Sequence, residues 1–186
     1  MEKLLQDGKV YELLERVDAD LAARAGATGC AHCGGRLHRG DFPRKPRGGP
    51  AWDKRHSFCC EREGCRKRKT PPSVRFLGRR VYVGVVVVLV AAMMHGVSAQ
   101  RVERLREVLG IDRRTLSHWR KWWTETFVQS GFWNGERGRF RRTVQDGLMP
   151  LSLVDVFAAG QREGLLKLMK FLSPITTGSC QGVMAM

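Results

Sequence analysis

Cys30-Ala31-His32-Cys33-Gly34-Gly35 and Phe58-Cys59-Cys60-Glu61-Arg62-Glu63-Gly64-Cys65 are the two short stretches on which the fold turns. The first is a C-x2-C loop and the second a C-x4-C loop counted from Cys60, with 26 residues between Cys33 and Cys60. Zinc in structural sites takes four tetrahedral ligands at about 2.3 Å for sulfur, and two short cysteine loops brought together from distant sequence supply that geometry. Gly34, Gly35 and Gly64 give the backbone freedom needed where amides fold toward the sulfurs. Cys30, Cys33, Cys60 and Cys65 are therefore the expected Zn2+ ligands of a zinc ribbon. The choice of Cys60 over Cys59 rests on strand alternation, because in a hairpin arm Phe58 and Cys60 share a face while Cys59 points away. Three readings compete. A redox C-x2-C wants the start of a helix in a βαβ setting, which this Gly-, Arg- and Pro-rich region does not offer. The thiols can also be free and unconnected, or His32, His38 or His56 can replace one sulfur. Cys180 lies near the C-terminus without a partner.

The metal answers a folding problem. Residues 26–80 hold little apolar content, and Gly40 to Pro50 reads as a long turn-prone loop. Zinc contributes on the order of 10 kcal/mol of folding free energy to small domains with almost no core. Outside this segment the patterns are helical. Val10, Leu14, Val17 and Leu21 form one stripe on a helix over 10–25 closed by Gly26. Such a stripe packs on its own domain, with dimerisation through it the lesser reading. Val81 to Met94 is an uncharged run of 14 apolar residues. A bilayer span needs about 20, so the run is expected to be a buried core helix, despite the strand propensity of valine.

Ser98 can cap a helix to about Leu109, with Val102, Leu105 and Leu109 on one face. Gly110 stops it, Ile111 and Asp112 make a turn, and Arg113 to about Phe127 continues with Leu116, Trp119 and Trp123 at helical spacing. That is a helix-turn-helix pattern. Residues 130–150 read as loop, 151–159 and 162–172 as short helices, and the tail from Ser173 as frayed. The expected fold class is mainly α with a small β zinc ribbon, followed by a helix-turn-helix domain. The segments are an N-terminal amphipathic helix (1–27), the ribbon with its basic loop (28–80), the helix-turn-helix (81–130), and a loop with short C-terminal helices (131–186).

Charge points to the partner. The chain has 186 residues, with 33 Lys plus Arg against 18 Asp plus Glu and a formal charge of +15. Residues 30–80 alone hold fifteen basic groups against four acidic ones. With 42 % hydrophobic residues this is no disordered basic tail, and six cysteines are too few and too uneven for a disulfide scaffold. The N-terminus lacks the apolar core of a signal peptide, so the expected location is the cytoplasm, in association with the nucleoid. Like charge concentrated on a folded chain suits a polyanion, with nucleic acid the default and double-stranded DNA the expected partner. A single run such as Arg66-Lys67-Arg68-Lys69 can equally be a solvated face. With Leu116, Trp119 and Trp123 inward, a step of about 100° per residue puts Arg114, Ser117, His118 and Lys121 on the opposite face, with Arg113 near the helix start. Arg can bridge guanine O6 and N7, and the start of a recognition helix normally reaches base edges. The plainer alternative is an amphipathic helix with a basic solvated side. Trp119, Trp122, Trp123, Phe127, Phe132 and Trp133 can stack on bases, but aromatics at helical spacing are more often core.

The Cys-x-His-Cys-Gly knuckle at Cys30–Gly34, the aromatic-Cys-Cys and Cys-Arg-Lys-Arg stretch from Phe58 to Arg68, the Val-rich helix and the Arg-Arg-Thr-Leu-x-x-Trp segment at Arg113–Trp119 together carry a resemblance. Over residues 28–127 the chain resembles the N-terminal zinc-ribbon plus helix-turn-helix region of bacterial insertion-sequence transposases and their accessory proteins. Its second knuckle is C-x4-C where C-x2-C is usual. The resemblance implies binding of transposon-end or promoter DNA, with the ribbon helping to anchor the duplex, and a separate catalytic transposase subunit as a further partner. A second copy of the chain is another expected partner, and a membrane is not. Such transposases carry three metal-holding carboxylates in a separate catalytic domain. Downstream here stand only Glu136, Asp146, Asp155 and Glu163, with no room for that domain, so no catalytic residue is assigned. Two other function classes stay open: a small metal-dependent nuclease using Asp146, Asp155 or Glu163, and an RNA-binding zinc ribbon.

Overall fold

A computed structural model of the chain describes residues 8–44, 53–77, 84–93, 100, 103, 107, 111, 113–140 and 144–177. Over these residues the protein is mainly helical with a small antiparallel sheet, as the sequence pattern leads one to expect. Helix α1 (Gly8–Ala27) opens the chain. Its buried positions are Val10, Leu14, Asp18 and Ala22, at four-residue steps, while Val17 and Leu21 flank them half-buried. The stripe is thus rotated from the expected one. Asp18 can turn inward because every oxygen it brings finds a donor there, which removes the cost of burying a carboxylate.

Five short strands follow: β1 (Leu37–Arg39), β2 (Phe42–Pro43), β3 (Lys54–Arg55), β4 (Phe58–Cys60) and β5 (Arg68–Lys69). They make a three-stranded sheet in the order β1-β4-β5 and a two-stranded one, β2-β3, all antiparallel. The two sheets are stretches of one long hairpin, bent at Gly40–Asp41. There the Gly40 N–H still reaches Ser57 O, and the Asp41 carboxylate accepts the Ser57 N–H. Opposite residues across the ladder lie on one face, so His38, Cys59 and Arg68 form a row on one side and Arg39, Phe58 and Lys69 a row on the other.

A strap, residues 71–77, leads from the sheet to the helices and is buried nearly throughout. Helix α2 (Gly84–Met93) is then surrounded by α3 (Arg113–Lys121), α5 (Leu151–Val156) and α6 (Arg162–Leu172). Val87 to Ala92 are all buried, which suits a helix apolar on every side. Among the described residues no helix is long and apolar enough to cross a membrane.

Three expectations change. Helix α3 stops at Lys121, and Trp122–Phe127 continues as a π-helical turn. The wider turn lets Trp122, Trp123 and Phe127 all enter the core. Residues 130–150 are not mere loop: Ser130 accepts the Trp133 N–H and starts helix α4 (Gly131–Glu136), followed by 3-10 turns at Arg137–Arg139 and Asp146–Leu148. The Trp133 and Phe140 rings, 5.7 Å apart, anchor this stretch where its glycines alone would leave it loose. Nor is Ser173 onward frayed through Thr176. That segment is a 3-10 turn with Ile175 buried and the Thr176 hydroxyl accepting the Ser73 N–H at 2.9 Å. The first helix of the expected helix-turn-helix lies outside the described residues except at Gln100, Glu103 and Glu107, as do Gly110, Asp112 and Cys180.

Candidate metal centre and basic helix face

Two loops deliver the sulfurs. In the first, the Gly34 N–H closes on Cys30 O at 2.8 Å and the Cys30 N–H on Gly35 O at 2.9 Å, which turns the chain around Cys30 and Cys33. In the second, the Cys60 N–H reaches Lys67 O at 3.0 Å while the Cys65 N–H reaches Arg62 O at 3.1 Å. Gly34 and Gly64 take left-handed φ values of +69° and +81°, so the loops use conformations that ordinary side chains resist. Gly35 lies tight against the sulfurs: a Cβ there would stand 3.1 Å from Cys60 Sγ and 3.4 Å from Cys33 Sγ, so the cluster would have to give by a few tenths of an ångström.

The result brings Cys30, Cys33, Cys60 and Cys65 together, all four sulfurs within 4.8 Å of one another. Cys30–Cys65 and Cys33–Cys60 are 3.8 and 3.5 Å apart. A tetrahedron with metal–sulfur bonds of about 2.3 Å has edges of about 3.8 Å, so the donor set fits a tetrahedral thiophilic ion. Backbone N–H groups two residues on face three of the sulfurs: His32 at Cys30, Arg62 at Cys60 and Lys67 at Cys65. The His32 and Cys33 amides draw the Cys30 thiol down to about 7. Burial pushes Cys60 up to about 12. At Cys65 the Lys67 amide works toward the thiolate, but burial and the neighbouring thiols outweigh it and raise the value. Four close thiols cannot all ionise without a cation, and a metal ion removes that conflict.

The other candidates lie elsewhere. Cys59 sits on the outer row of the sheet with its sulfur 3.5 Å from Arg66 O, outside the cluster. His38 pairs with Glu61 at 2.9 Å, His56 with Asp41 at 3.2 Å, and His32 is exposed. Asp146 accepts the Trp133 indole N–H, Glu163 pairs with Lys167 at 2.8 Å, and Asp155 is exposed. Among the described residues only the four cysteines form a cluster of metal-ligating type.

On α3 the division of faces is clean. Leu116 and Trp119 are buried, and Arg113, Arg114, Ser117, His118 and Lys121 are exposed. Lys121 stands 3.7 Å from Glu125. The aromatic cluster is core: Trp119, Trp122, Trp123, Phe127 and Trp133 are buried, and Phe132 packs half-buried against Phe171 at 5.2 Å. On the cysteine module Arg66, Lys67 and Arg68 are exposed. Lys69 points the other way, its amine donating to Ala25 O, Thr28 Oγ1 and Gly29 O at the C-terminal end of α1.

Comparison with protein-family models, curated proteins and solved structures finds no match to this chain.

Residue-type reasoning missed a second polar centre. Asp18, Asp53, Ser73 and Arg75 are buried together, with Arg75 2.9 Å from Asp18 and 2.5 Å from Asp53. The Tyr11 hydroxyl also donates to Asp53. Burial, reinforced by Asp53, pushes Tyr11 well above the ordinary phenol range. The signal was present in Asp18, a carboxylate four residues after Leu14 and so on the apolar stripe, but nothing in the sequence named its partners.

Proposed function

We propose that the chain is a zinc-stabilised DNA-binding protein of a mobile element, acting as a transposase-related subunit, a shortened transposase or a regulator. The observation that carries this reading is the outer face of α3, where Arg113, Arg114, Ser117, His118 and Lys121 stand exposed while Leu116 and Trp119 fasten the helix from behind. A rigid rod with that face suits the major groove, with Arg114 oriented to guanine O6 and N7 and Ser117 and His118 to neighbouring edges or phosphates. Arg66, Lys67 and Arg68, on the turn and strand after Cys65, suit the phosphate backbone, where contacts orient the protein without reading sequence.

Cys30, Cys33, Cys60 and Cys65 would hold the ion. Zinc bound by four thiolates is a structural ion that stabilises the fold and leaves no open position for chemistry. The chain's own residues do the binding.

The test is a duplex titration across ionic strength. If about six phosphates are engaged, affinity should fall by about 10³-fold or more between 50 and 200 mM salt. Arg114→Ala should lower affinity and narrow the gap between preferred and random sequence, whereas Lys67→Ala should weaken all sequences alike. A salt-independent interaction, or equal competition by structured RNA, would overturn the duplex reading.

A further inference from the structure

Helix α1 lies along the cysteine module like a splint. At its C-terminal end Lys69 binds Ala25 O, Thr28 Oγ1 and Gly29 O. Near its N-terminal end Tyr11 binds Asp53, the residue that leads into β3 at the far end of the hairpin from Cys60. Midway, Asp18 accepts from Ser73 Oγ at 2.5 Å, from the Val74 N–H at 2.6 Å and from Arg75 Nε at 2.9 Å. Arg75 is the node where these threads meet. Its guanidinium reaches Asp53 at 2.5 Å and Lys54 O at 3.1 Å on the hairpin, while its own carbonyl accepts the N–H of Gly84, the first residue of α2, at 2.5 Å. Helix α2 in turn packs against α3. A second guanidinium, Arg55, is also buried and donates to Pro71 O on the strap at 2.6 Å, so hairpin and strap are bonded in both directions.

Buried ion pairs are poor sources of stability, because apolar residues of similar volume often serve as well; the best-attested use is to fix one arrangement among several. Here the directional bonds run between the module carrying Arg66, Lys67 and Arg68 and the body carrying α3.

We infer that the Asp18–Arg75–Asp53 knot is a rigid joint that sets the basic surface of the cysteine module at a fixed spacing from the outer face of α3, so that one duplex is engaged at two points. Asp53 and Arg75 are positioning residues in this scheme, touching no nucleic acid themselves. The inference rests on the duplex reading above and deepens it. Two contacts held at fixed spacing turn the second into an intramolecular event, with a gain in affinity that requires no new contact.

The experiment compares binding of the metal-loaded full chain to a duplex of about one helical turn and one of about three turns. The wild type should favour the longer duplex by roughly 10²-fold, beyond the statistical factor for the number of sites. Asp53→Asn, which keeps shape but breaks the charge pair, should keep its short-duplex affinity and metal content while losing most of that preference. Tyr11→Phe, which deletes one hydroxyl, should lose a smaller part and is the variant to read should Asp53→Asn not fold. A merely structural role would lower both affinities together or neither. A wild type that favours neither length, or variants that keep the full preference, would overturn the joint while leaving duplex binding intact. Absence of salt-sensitive binding to either duplex would overturn the underlying reading.

Discussion

Among the described residues between 28 and 69 the buried apolar side chains are Cys30, Phe58 and Cys60, whereas α2 alone buries six, from Val87 to Ala92, in one core with Trp119, Trp122, Trp123, Phe127 and Trp133. Two neighbouring parts of one chain thus reach a fixed structure by different physics. The helical body removes large rings from water, at about 25 cal/mol per Å² of apolar surface, and tolerates polar loops around the result. The cysteine module has few such groups among its described residues and instead gathers four sulfurs that could hold a metal ion, whose binding would contribute folding free energy. The difference teaches where each part is vulnerable: the body to cavities, the module to loss of an ion or of one ligand.

The largest effect should come from attacking the ion. Chelation, or Cys60→Ser, should unfold the module, with a loss on the order of 10 kcal/mol in apparent metal-linked stability. The Trp near-ultraviolet circular dichroism of the body should persist. Cys59→Ser, one residue away on the outer row of the sheet, should change neither metal stoichiometry nor melting. Because Cys60 and Cys65 lie above their ordinary values without an ion, loading must expel protons. Apparent affinity should therefore fall as pH is lowered. Elemental analysis across a pH series measures this, and simultaneous collapse of both parts on chelation would erase the contrast.

Next in size is the converse cut. Trp123 is fully buried beside Trp122 and Phe127, with ring centroids 4.7 and 4.8 Å away. Trp123→Ala should cost about 3–5 kcal/mol in a urea denaturation series. Metal content should remain at one ion per chain under native conditions. A loss of metal in step with Trp123→Ala would mean that the module borrows its stability from the body.

These two parts were unequally legible in the sequence. The four sulfurs could be read because tetrahedral ligation fixes residue type, number and short-range spacing, and strand alternation separates Cys60 from Cys59. The outer face of α3 follows from helical period once Leu116 and Trp119 are inward. What periodicity cannot supply is long-range pairing between single polar residues. Asp18, Asp53 and Arg75 are separated by more than twenty residues at each step, and each alone resembles a surface charge. The π-helical turn at Trp122–Phe127 escaped for a related reason: an α-helical wheel already places Trp123 and Phe127 inward, and only packing reveals that Trp122 joins them.

The smallest effect separates two adjacent cations that the sequence presents as equivalent. Arg68 is exposed on the outer row of the sheet beside Cys59, while Lys69 is half-buried on the inner row with its amine on three oxygens at the end of α1. A cation there offsets the partial negative charge of the helix C-terminus and satisfies carbonyls that have no partner within the helix. Lys69→Met should therefore cost about 1 kcal/mol of stability and, with metal content unchanged, leave the salt slope of duplex binding nearly as it was. Arg68→Ala should do the reverse, with melting unchanged and the slope of log affinity against log salt shallower by about one. The strand's alternation is the cause of the split, because neighbours on a strand face opposite sides and only one side meets α1. If both substitutions alter binding alike and stability not at all, the basic run acts as an undivided patch, and the inner row has no part in fastening the module to its splint.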